Sequence, residues 1–302
     1  MKSVVKRGKL LRIIEENIPI VDNTIDDLYR YKETNQRVIA TVLKYHEEDG
    51  ITLDLGNDII GYMSPSVFED TEEVSNGTII SFIGRNIMAY IDDIVGEKVL
   101  LNRARLQREY KEEFLSILEP GTIIDTKVLS IAPFGVFVDL GYGVLGLLPI
   151  GDVSIARFPN IFEVFSKGDD IKVVYKGLYP TGYVVTHKEL LGTWEENLSE
   201  FKMGGYCHGI IRDLKPYGAF IEITPNLTGL AEVPEYMNLD IGDTVCVKLK
   251  NINPEKLKVK LSIVSKSNSQ YKLKFKYKIT QGIIKNWNYT PLGSMKCIKT
   301  EF

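Results

Sequence analysis

Two matching segments place aromatic side chains where they could bind a planar ligand. The segments are Phe134-Gly-Val-Phe-Val-Asp-Leu-Gly141 and, 83 residues further on, Tyr217-Gly-Ala-Phe-Ile-Glu-Ile223. Successive strand side chains point to opposite faces, so Phe137 and Phe220 each share the outer face with the acidic residue two positions later. With Phe134 and Tyr217 at the preceding turns, each segment predicts an exposed pair of rings. Unpaired nucleobases stack on such rings for roughly 1–3 kcal/mol each; the alternative is that the rings cover a connector helix or a neighbouring repeat.

Basic residues are concentrated in the last third of the chain. Residues 1–201 contain 21 Lys and Arg against 32 Asp and Glu, whereas residues 202–302 contain 16 against 8. Such a charge distribution attracts a polyanion to one end of the molecule. We predict that a nucleic-acid-binding surface includes the following polar and basic residues near the second pair of rings: Arg212, Lys215, Lys248, Lys250, Asn253, Lys256, Lys258 and Lys260.

A second basic segment follows at residues 271–278, where lysine alternates with apolar residues. This alternation predicts a strand with ammonium groups about 7 Å apart along one side, formed by Lys272, Lys274, Lys276 and Lys278. The stripe could bind successive phosphates. The alternative is an edge strand that lysines protect against aggregation.

The remaining reactive residue types form no catalytic or metal-binding pattern. His46, His187 and His208 are far apart in sequence and have no acid–base partner at a useful spacing. The three cysteines include no CxxC pair, which argues against a disulfide framework and a structural zinc site. We therefore predict that the protein is not an enzyme and has no catalytic residues, no metal site and no cofactor.

Internal repetition predicts the fold that must position these residues. A fainter copy of the aromatic segments, Asp49-Gly-Ile-Thr-Leu-Asp-Leu-Gly56, lies upstream, which makes three repeats. Each repeat contains about five short alternating segments in roughly 65–70 residues, which suits a small closed barrel better than an immunoglobulin-like sandwich. Helical patterning is confined to connectors at 103–118 and 190–201. The expected fold is all-β: three consecutive five-stranded OB barrels with short helical connectors.

The repeats and connectors define seven segments. They are a lead segment 1–35, a degenerate repeat 36–103, a helical linker 104–119, a second repeat 120–189, a second helical linker 190–201, a third repeat 202–264 and a basic β extension 265–302. Residues 1–17 carry basic residues through their apolar positions, and no 18 apolar residues run uncharged. We therefore expect neither a signal peptide nor a membrane span, and a cytoplasmic protein.

The pattern Phe134-Gly-x-Phe-Val-x-Leu-Gly followed by Gly146-Leu-Leu, with its echo at Tyr217, resembles the S1 domain, the RNA-binding OB-fold module named after ribosomal protein S1. The chain is similar to short, multi-repeat S1 homologues of Gram-positive bacteria. S1 domains often present a histidine on the third strand, but here that position is Ser64, Pro149 or Glu232. Base-specific hydrogen bonding of that kind is therefore not expected.

The first repeat departs from the other two at both aromatic positions, where Asp49 and Thr52 replace the rings. We therefore expect it not to bind RNA, and to pack within the protein or to dock a partner such as the ribosome. We expect Trp287 and Tyr289, near the end of the chain, to be buried.

The resemblance implies non-catalytic binding of single-stranded RNA in translation, with messenger RNA as the expected class. The 30S ribosomal subunit is a candidate partner, no membrane partner is expected, and the protein is expected to be a monomer. Two alternatives stay open: a regulatory or ribosome-docking adaptor that binds proteins, and an accessory factor in RNA turnover.

Overall fold

The structure is a computed structural model that describes residues 19–157, 160–267, 269 and 274–302. The interpretation of residues 1–17, and the placement of Tyr271 and Lys272 in a strand, lie outside the described residues. By their contacts the described residues divide into two compact units. An N-terminal unit contains 19–118 with 140–144, and a C-terminal unit contains the rest.

Three closed five-stranded barrels follow one another along the chain. The strands of the first barrel are β1 (Arg37–His46), β2 (Gly50–Asp54), β3 (Ile60–Met63), β4 (Asn86–Val95) and β5 (Lys98–Asn102). Those of the second barrel are β6 (Ile123–Ala132), β7 (Gly135–Asp139), β8 (Leu145–Pro149), β9 (Asp170–Tyr179) and β10 (Gly182–Thr186). Those of the third barrel are β11 (Tyr206–Lys215), β12 (Gly218–Thr224), β13 (Leu227–Glu232), β14 (Thr244–Asn253) and β15 (Lys258–Lys266).

All three barrels have the same topology. The order around each barrel is first, second, third, fifth and fourth strand, and the fourth strand pairs with the first to close it. Every pairing is antiparallel except that of the third with the fifth strand, which is parallel. Closure leaves no open sheet edge. The predicted all-β fold of three consecutive OB-type barrels is therefore confirmed.

Alternating apolar residues fill each barrel, as the period of two predicts. In the third barrel Ala219, Ile221 and Ile223 on β12 are all buried, and they pack with valines and leucines of β14 and β15. The first strand of each barrel has a β-bulge, which in the third barrel lies between Ile211 and Asp213. A bulge redirects the side chain of its extra residue, here Arg212.

Short helices connect and flank the barrels. The α-helices are α1 (Ile25–Glu33), α2 (Asn76–Ile80), α3 (Arg103–Glu113) and α4 (Trp194–Leu198). Turns of 3₁₀ helix occur at Pro65–Val67, Leu115–Ile117, Ile150–Asp152, Ile161–Glu163 and Lys188–Leu191. No helix among the described residues combines the length and the apolar character needed to cross a bilayer.

Helix α1 corrects the prediction that helices are confined to the two connectors. It begins with a capping box: the Thr24 side chain accepts from the backbone N–H of Asp27, and the Asp27 carboxylate accepts from that of Thr24. This pairing satisfies two backbone donors that a helix start otherwise leaves unpaired. Its sequence signal, Thr24-x-x-Asp27, is visible but short. Helix α2 was also missed, because five residues are too few to show a helical pattern.

The connector helix α3 begins at a buried arginine. Arg103 is 0% exposed, and its Nη1 lies 2.5 Å from Glu69 Oε1 and 3.2 Å from the Phe68 carbonyl oxygen. Its guanidinium carbon also lies 5.5 Å from the centroid of the Phe68 ring and 5.1 Å from that of Phe82. Charge, hydrogen bonding and cation–π contact therefore all hold Arg103 inside the N-terminal unit.

The last segment of the chain is not the regular β extension that was predicted. It contains two short strands, β16 (Asn286–Asn288) and β17 (Lys299–Glu301), and residues 274–281 form no strand. The alternation persists without strand pairing: Phe275 and Tyr277 pack on His187, and Lys276 and Lys278 bind Glu200. Side-chain contacts with His187, just after β10, and with Glu200, just after α4, therefore hold this segment in place of strand pairing.

Burial of Trp287 and Tyr289 is confirmed, because both side chains are buried. The backbone carbonyl of Tyr289 accepts from the Trp194 N–H at 2.9 Å. Trp194 and Trp287 are the two tryptophans of the chain, and both lie in the C-terminal unit. Tryptophan fluorescence therefore reports on this unit.

Asn226 joins three parts of the C-terminal unit. It is 1% exposed, and its side-chain oxygen accepts from Ser154 Oγ at 3.0 Å and from the Ile155 N–H at 2.9 Å. Its amide nitrogen donates to the carbonyls of Lys188 and Gly192. In addition, the Tyr289 hydroxyl donates to the Asn226 carbonyl. The side-chain amide and the backbone carbonyl of Asn226 thus connect the third barrel to the second barrel, to the connector and to the C-terminal segment.

His187 is fully buried among aromatic rings. Its Nδ1 lies 2.8 Å from the Val153 carbonyl oxygen, and its Nε2 lies 3.2 Å from the Tyr277 hydroxyl. Burial lowers the pKa of His187 from its usual 6.5 to about 4, although the hydrogen bond with Val153 opposes the shift. The His187 imidazole is therefore neutral in the folded protein.

Lowering the pH should destabilise the C-terminal unit through His187. The unfolded chain binds a proton near pH 6.5 and the folded chain only near pH 4, so the free energy of unfolding falls as the pH drops between these values. From pH 7 to 5.5 this amounts to about 1 kcal/mol. Urea titrations followed by tryptophan fluorescence should show the loss. His187→Gln should abolish that difference and the exposed-site control His46→Gln should keep it; equal pH dependence in all three proteins would contradict the assignment.

Candidate nucleic-acid interface

The two predicted ring pairs are present on the outside of the second and third barrels. Phe134 is 57% exposed and Tyr217 is 63% exposed, while Phe137 and Phe220 are half-buried. The ring centroids are 6.0 Å apart in the second barrel and 6.2 Å apart in the third. Within each pair the ring planes are nearly perpendicular, at 89° and 84°. Each pair therefore forms a corner, in which a base can stack on one ring and contact the edge of the other.

A glycine after the first ring of each pair is required by close packing. A Cβ on Gly135 would lie 2.5 Å from the Leu148 carbonyl oxygen, and one on Gly218 would lie 2.4 Å from that of Ala231. In the second and third barrels, the backbones of the second and third strands thus approach each other too closely here for a side chain. This approach fixes the turn from which Phe134 and Tyr217 project.

Neighbouring strands continue the ring face of the third barrel. Phe220 pairs with Leu230 on β13, and Leu230 pairs with Lys260 on β15. An aromatic ring, a half-buried leucine and an exposed ammonium group therefore lie in one row across three strands. The row therefore places a ring on which a base can stack and an ammonium group that can pair with a phosphate on one face of the barrel.

The corresponding row of the first barrel contains an aromatic residue that the repeat comparison missed. Thr52 pairs with Tyr62, and Tyr62 pairs with Leu100. The Lys98 ammonium lies 5.6 Å from the centroid of the half-buried Tyr62 ring. The first barrel therefore has one ring on its third strand in place of a pair on its second strand. Aligning whole repeats by strand, and not only by the glycine-aromatic motif, would have found it.

Most of the predicted basic contacts are at the surface of the third barrel. The half-buried or exposed ones are Lys215, Lys248, Lys250, Lys256, Lys258 and Lys260. Lys248 lies over the ring of Tyr206, 5.3 Å from its centroid, and Tyr206 is an exposed ring that sequence reasoning did not select. Asn253 has a local structural contact, because its side-chain oxygen accepts from the Lys256 N–H at 2.9 Å.

Arg212 occupies a different environment from these lysines. Its side chain is 8% exposed, and its Nε donates to Glu222 Oε2 at 2.7 Å. A second carboxylate, that of Glu163 from the second barrel, lies 3.6 Å from its Nη1. The bulge in β11 aims this guanidinium along the outer wall of the barrel. Arg212 is thus paired with carboxylates and does not project into solvent.

The acidic residues that share the outer face with the rings are buried. Glu222 is 1% exposed and Asp139 is 9% exposed. The alternation is as predicted, but the outer face beyond Phe220 is covered by other parts of the C-terminal unit, including Glu163. Burial raises the pKa of Glu222, and the ion pair with Arg212 opposes this rise.

Residues 117–178, which contain most of the second barrel, match the family model of the S1 RNA-binding domain. The second barrel is therefore similar to the S1 RNA-binding domain. The resemblance noted in the sequence is therefore confirmed for this barrel, and the first and third barrels share its strand order.

Two curated relatives are similar over most of the chain. The small ribosomal subunit protein bS1 homolog of Bacillus subtilis is 26% identical over 269 residues, which is 83% of this chain and 69% of the relative. The small ribosomal subunit protein bS1 of Staphylococcus aureus is 29% identical over 250 residues, which is 77% of this chain and 62% of the relative. The chain thus spans about two thirds of the length of these S1 relatives.

One solved structure also aligns with much of the chain. It is a multidomain protein with nucleic acid binding domains from Streptococcus pneumoniae, with 11% sequence identity and a TM-score of 0.24, covering 76% of this chain and 74% of that one. Among the described residues of the S1-like chain, no group of three or more His, Cys, Asp or Glu side chains is arranged to hold a metal ion.

Proposed function

We propose that the protein binds single-stranded RNA, in translation, through the ring pairs of the second and third barrels and the lysines of the third. The observation that carries the proposal is the exposure of Phe134 and Tyr217 beside half-buried rings, repeated on two barrels. The S1 domain match and the names of the bS1 relatives support RNA binding and a place on the small ribosomal subunit. Messenger RNA is the ligand that we propose, because it offers unpaired bases.

Two forces act on the strand in this proposal. The rings stack on bases without regard to sequence, because every base has a π-face. The lysines on β14 and β15 attract phosphates, and the row from Phe220 to Lys260 brings both forces to one face. No step of bond making or breaking is proposed, so the protein acts as a binding module.

The first barrel is proposed to dock a protein and not to bind RNA with a ring pair. Residues 19–118 contain 19 Asp and Glu against 10 Lys and Arg, which disfavours a polyanion and favours a basic partner. Asp49, at the position of the two exposed rings, is itself exposed. Binding of this unit to small ribosomal subunits stripped of messenger RNA would support docking, and its absence would contradict it.

The binding should be specific for single strands and should depend on salt. We expect fluorescence anisotropy to show tighter binding of a labelled U12 oligonucleotide than of duplex RNA of the same length. If three or four phosphates are neutralised, log K should fall with log salt with a slope of roughly −2 to −3. The variant Lys258→Gln/Lys260→Gln should make the slope shallower, and the control Lys32→Gln/Lys98→Gln in the acidic unit should not. A slope near zero, or equal affinity for the duplex, would contradict the proposal.

A further inference from the structure

The third barrel has an exposed ring that does not belong to its ring pair. Tyr206 is the first residue of β11 and is 63% exposed among the described residues. It pairs with Lys248 on β14, so the two side chains share one face of the sheet. Val247 and Leu249, on either side of Lys248, are buried. Tyr206 and Lys248 therefore lie on the outside of the barrel.

The position equivalent to Tyr206 is covered in the other two barrels. In each barrel the first residue of the first strand pairs with the fifth residue of the fourth strand: Arg37 with Tyr90, Ile123 with Val174, and Tyr206 with Lys248. In the first barrel, Tyr90 is buried with Leu106 of α3 and Tyr142. In the second, Ile123 is buried, and its N–H donates to the Gly282 carbonyl oxygen at 3.0 Å. Within the described part of the chain, the third barrel leaves this position open to solvent.

The residue types at the open position favour a polyanion over a covering protein segment. In the first two barrels the residue on the fourth strand is Tyr90 or Val174, and both are buried. In the third barrel it is Lys248, and burying its ammonium group under an apolar cover would be costly. Lys250, two residues further along β14, is exposed and adds a second ammonium group. A ring beside ammonium groups suits a nucleotide, because the base can stack while the phosphate pairs with a lysine.

The outer face of the third barrel leads from its ring pair to Tyr206. The row that starts at Phe220 ends at Lys260 on β15. Ser262, two residues after Lys260 and on the same face, pairs with Lys248, which in turn pairs with Tyr206. This route crosses four gaps between neighbouring strands, or about 20 Å. One OB fold binds about 4–16 nucleotides of a single strand, so one RNA strand can reach both ends of the route.

We propose that Tyr206 and Lys248 form a further nucleotide site, in which a base stacks on the tyrosine ring and a phosphate pairs with the lysine ammonium. The inference rests on the proposed RNA binding and extends the path of the strand from the Phe220 corner across β15 and β14. The ammonium lies 5.3 Å from the centroid of the Tyr206 ring, so the phosphate of a stacked nucleotide is within its reach. The exposure of Tyr206 gives the base access to the ring.

The affinity test uses anisotropy of labelled U12 with the full chain. Tyr206→Ala should weaken binding by about fivefold or more, the loss expected when one stacking ring is removed. Tyr206→Trp, which keeps a ring, should bind more tightly than Tyr206→Ala. Lys248→Gln should make the slope of log K against log salt shallower by about 0.7, the share of one phosphate. The controls Tyr29→Ala and Lys32→Gln, both on α1 of the N-terminal unit, should bind as the native protein does.

The variant Tyr206→Trp also reports stacking directly, because a base stacked on an indole ring quenches its fluorescence. The native Trp194 and Trp287 are buried, and the native protein supplies their signal as the baseline. Saturating U12 should lower the fluorescence that Tyr206→Trp adds to this baseline. The control Tyr29→Trp, at an exposed position on α1, should keep its added fluorescence.

The possible results separate the two proposals. If the native protein does not bind U12, RNA binding and the Tyr206 site both fail. If U12 binds and Phe137→Ala/Phe220→Ala weakens it, but Tyr206→Ala binds within twofold of the native protein or Tyr206→Trp is not quenched, the Tyr206 site is wrong and RNA binding stands. Melting followed by circular dichroism checks the fold of each variant. If Tyr206→Ala unfolds, the quenching of Tyr206→Trp and the salt slope of Lys248→Gln decide, and the absence of either effect overturns the site.

Discussion

Replacing Phe137 and Phe220 together by alanine should weaken binding of single-stranded RNA by roughly 100-fold or more. Each ring contributes about 1–3 kcal/mol of stacking, and the substitution removes one ring from each of two sites. Anisotropy with labelled U12 at fixed salt measures the loss. Residual binding should come from Phe134 and Tyr217 and from the lysines of the third barrel, which this variant keeps.

Matched variants separate lost stacking from lost folding. Phe137 and Phe220 are half-buried, so their removal also costs some stability. Phe134→Ala/Tyr217→Ala removes the more exposed rings of the same corners, and should weaken binding comparably with little change in the melting temperature. Tyr29→Ala removes an exposed ring on helix α1 of the N-terminal unit, which belongs to neither corner, and should leave binding intact. Unchanged affinity in both corner variants would exclude these rings as the RNA site.

Replacing Arg103 by methionine should cost the N-terminal unit about 3–5 kcal/mol. Breaking a buried ion pair from one side leaves the other charge uncompensated, and here the Phe68 carbonyl would lose the Arg103 donor and Glu69 would keep only the hydrogen bond from Gln107. Contacts between the guanidinium and the Phe68 and Phe82 rings would be lost as well. Urea denaturation followed by far-ultraviolet circular dichroism should show an earlier first transition.

The neighbouring Arg105 provides the control. Its side chain is 36% exposed and pairs with Glu109 one turn further along α3, at 3.1 Å. Exposed pairs of this kind contribute about 0.3–0.5 kcal/mol. The guanidinium also lies 4.7 Å from the centroid of the Tyr90 ring, a contact that contributes about 0.5–1 kcal/mol at an exposed site, so Arg105→Met should cost clearly less than Arg103→Met. Equal losses for Arg103→Met and Arg105→Met would show that the buried pair is not a main source of stability.

The barrels could be predicted from sequence because their signals are local and occur three times. Alternation in the segments around Phe137 and Phe220 assigned the inner and outer faces correctly. The same alternation misjudged residues 274–278, because a period of two is also satisfied by an extended segment whose Phe275 and Tyr277 pack on His187. Only tertiary contacts distinguish the two cases.

The environment of the site was less predictable than its location. Glu222 lies on the predicted face but is buried and paired with Arg212, which also lies 3.6 Å from Glu163, 59 positions away from Glu222. The position of Arg212 depends on a bulge that shifts the register of β11 by one residue, and sequence alternation does not reveal such a shift. Tyr62 was missed because strand pairing, and not motif spacing, places it beside Thr52.

The hydrogen bonds of Asn226 have a consequence for how long a strand the protein can recognise. Because this residue ties the second barrel, the connector and the C-terminal segment to the third barrel, the two corners of rings keep one fixed separation. An RNA strand too short to span that separation therefore binds one corner. A longer strand binds both corners, and no entropy is lost in ordering a flexible linker between the two barrels. Affinity should therefore rise in a step as oligonucleotides lengthen.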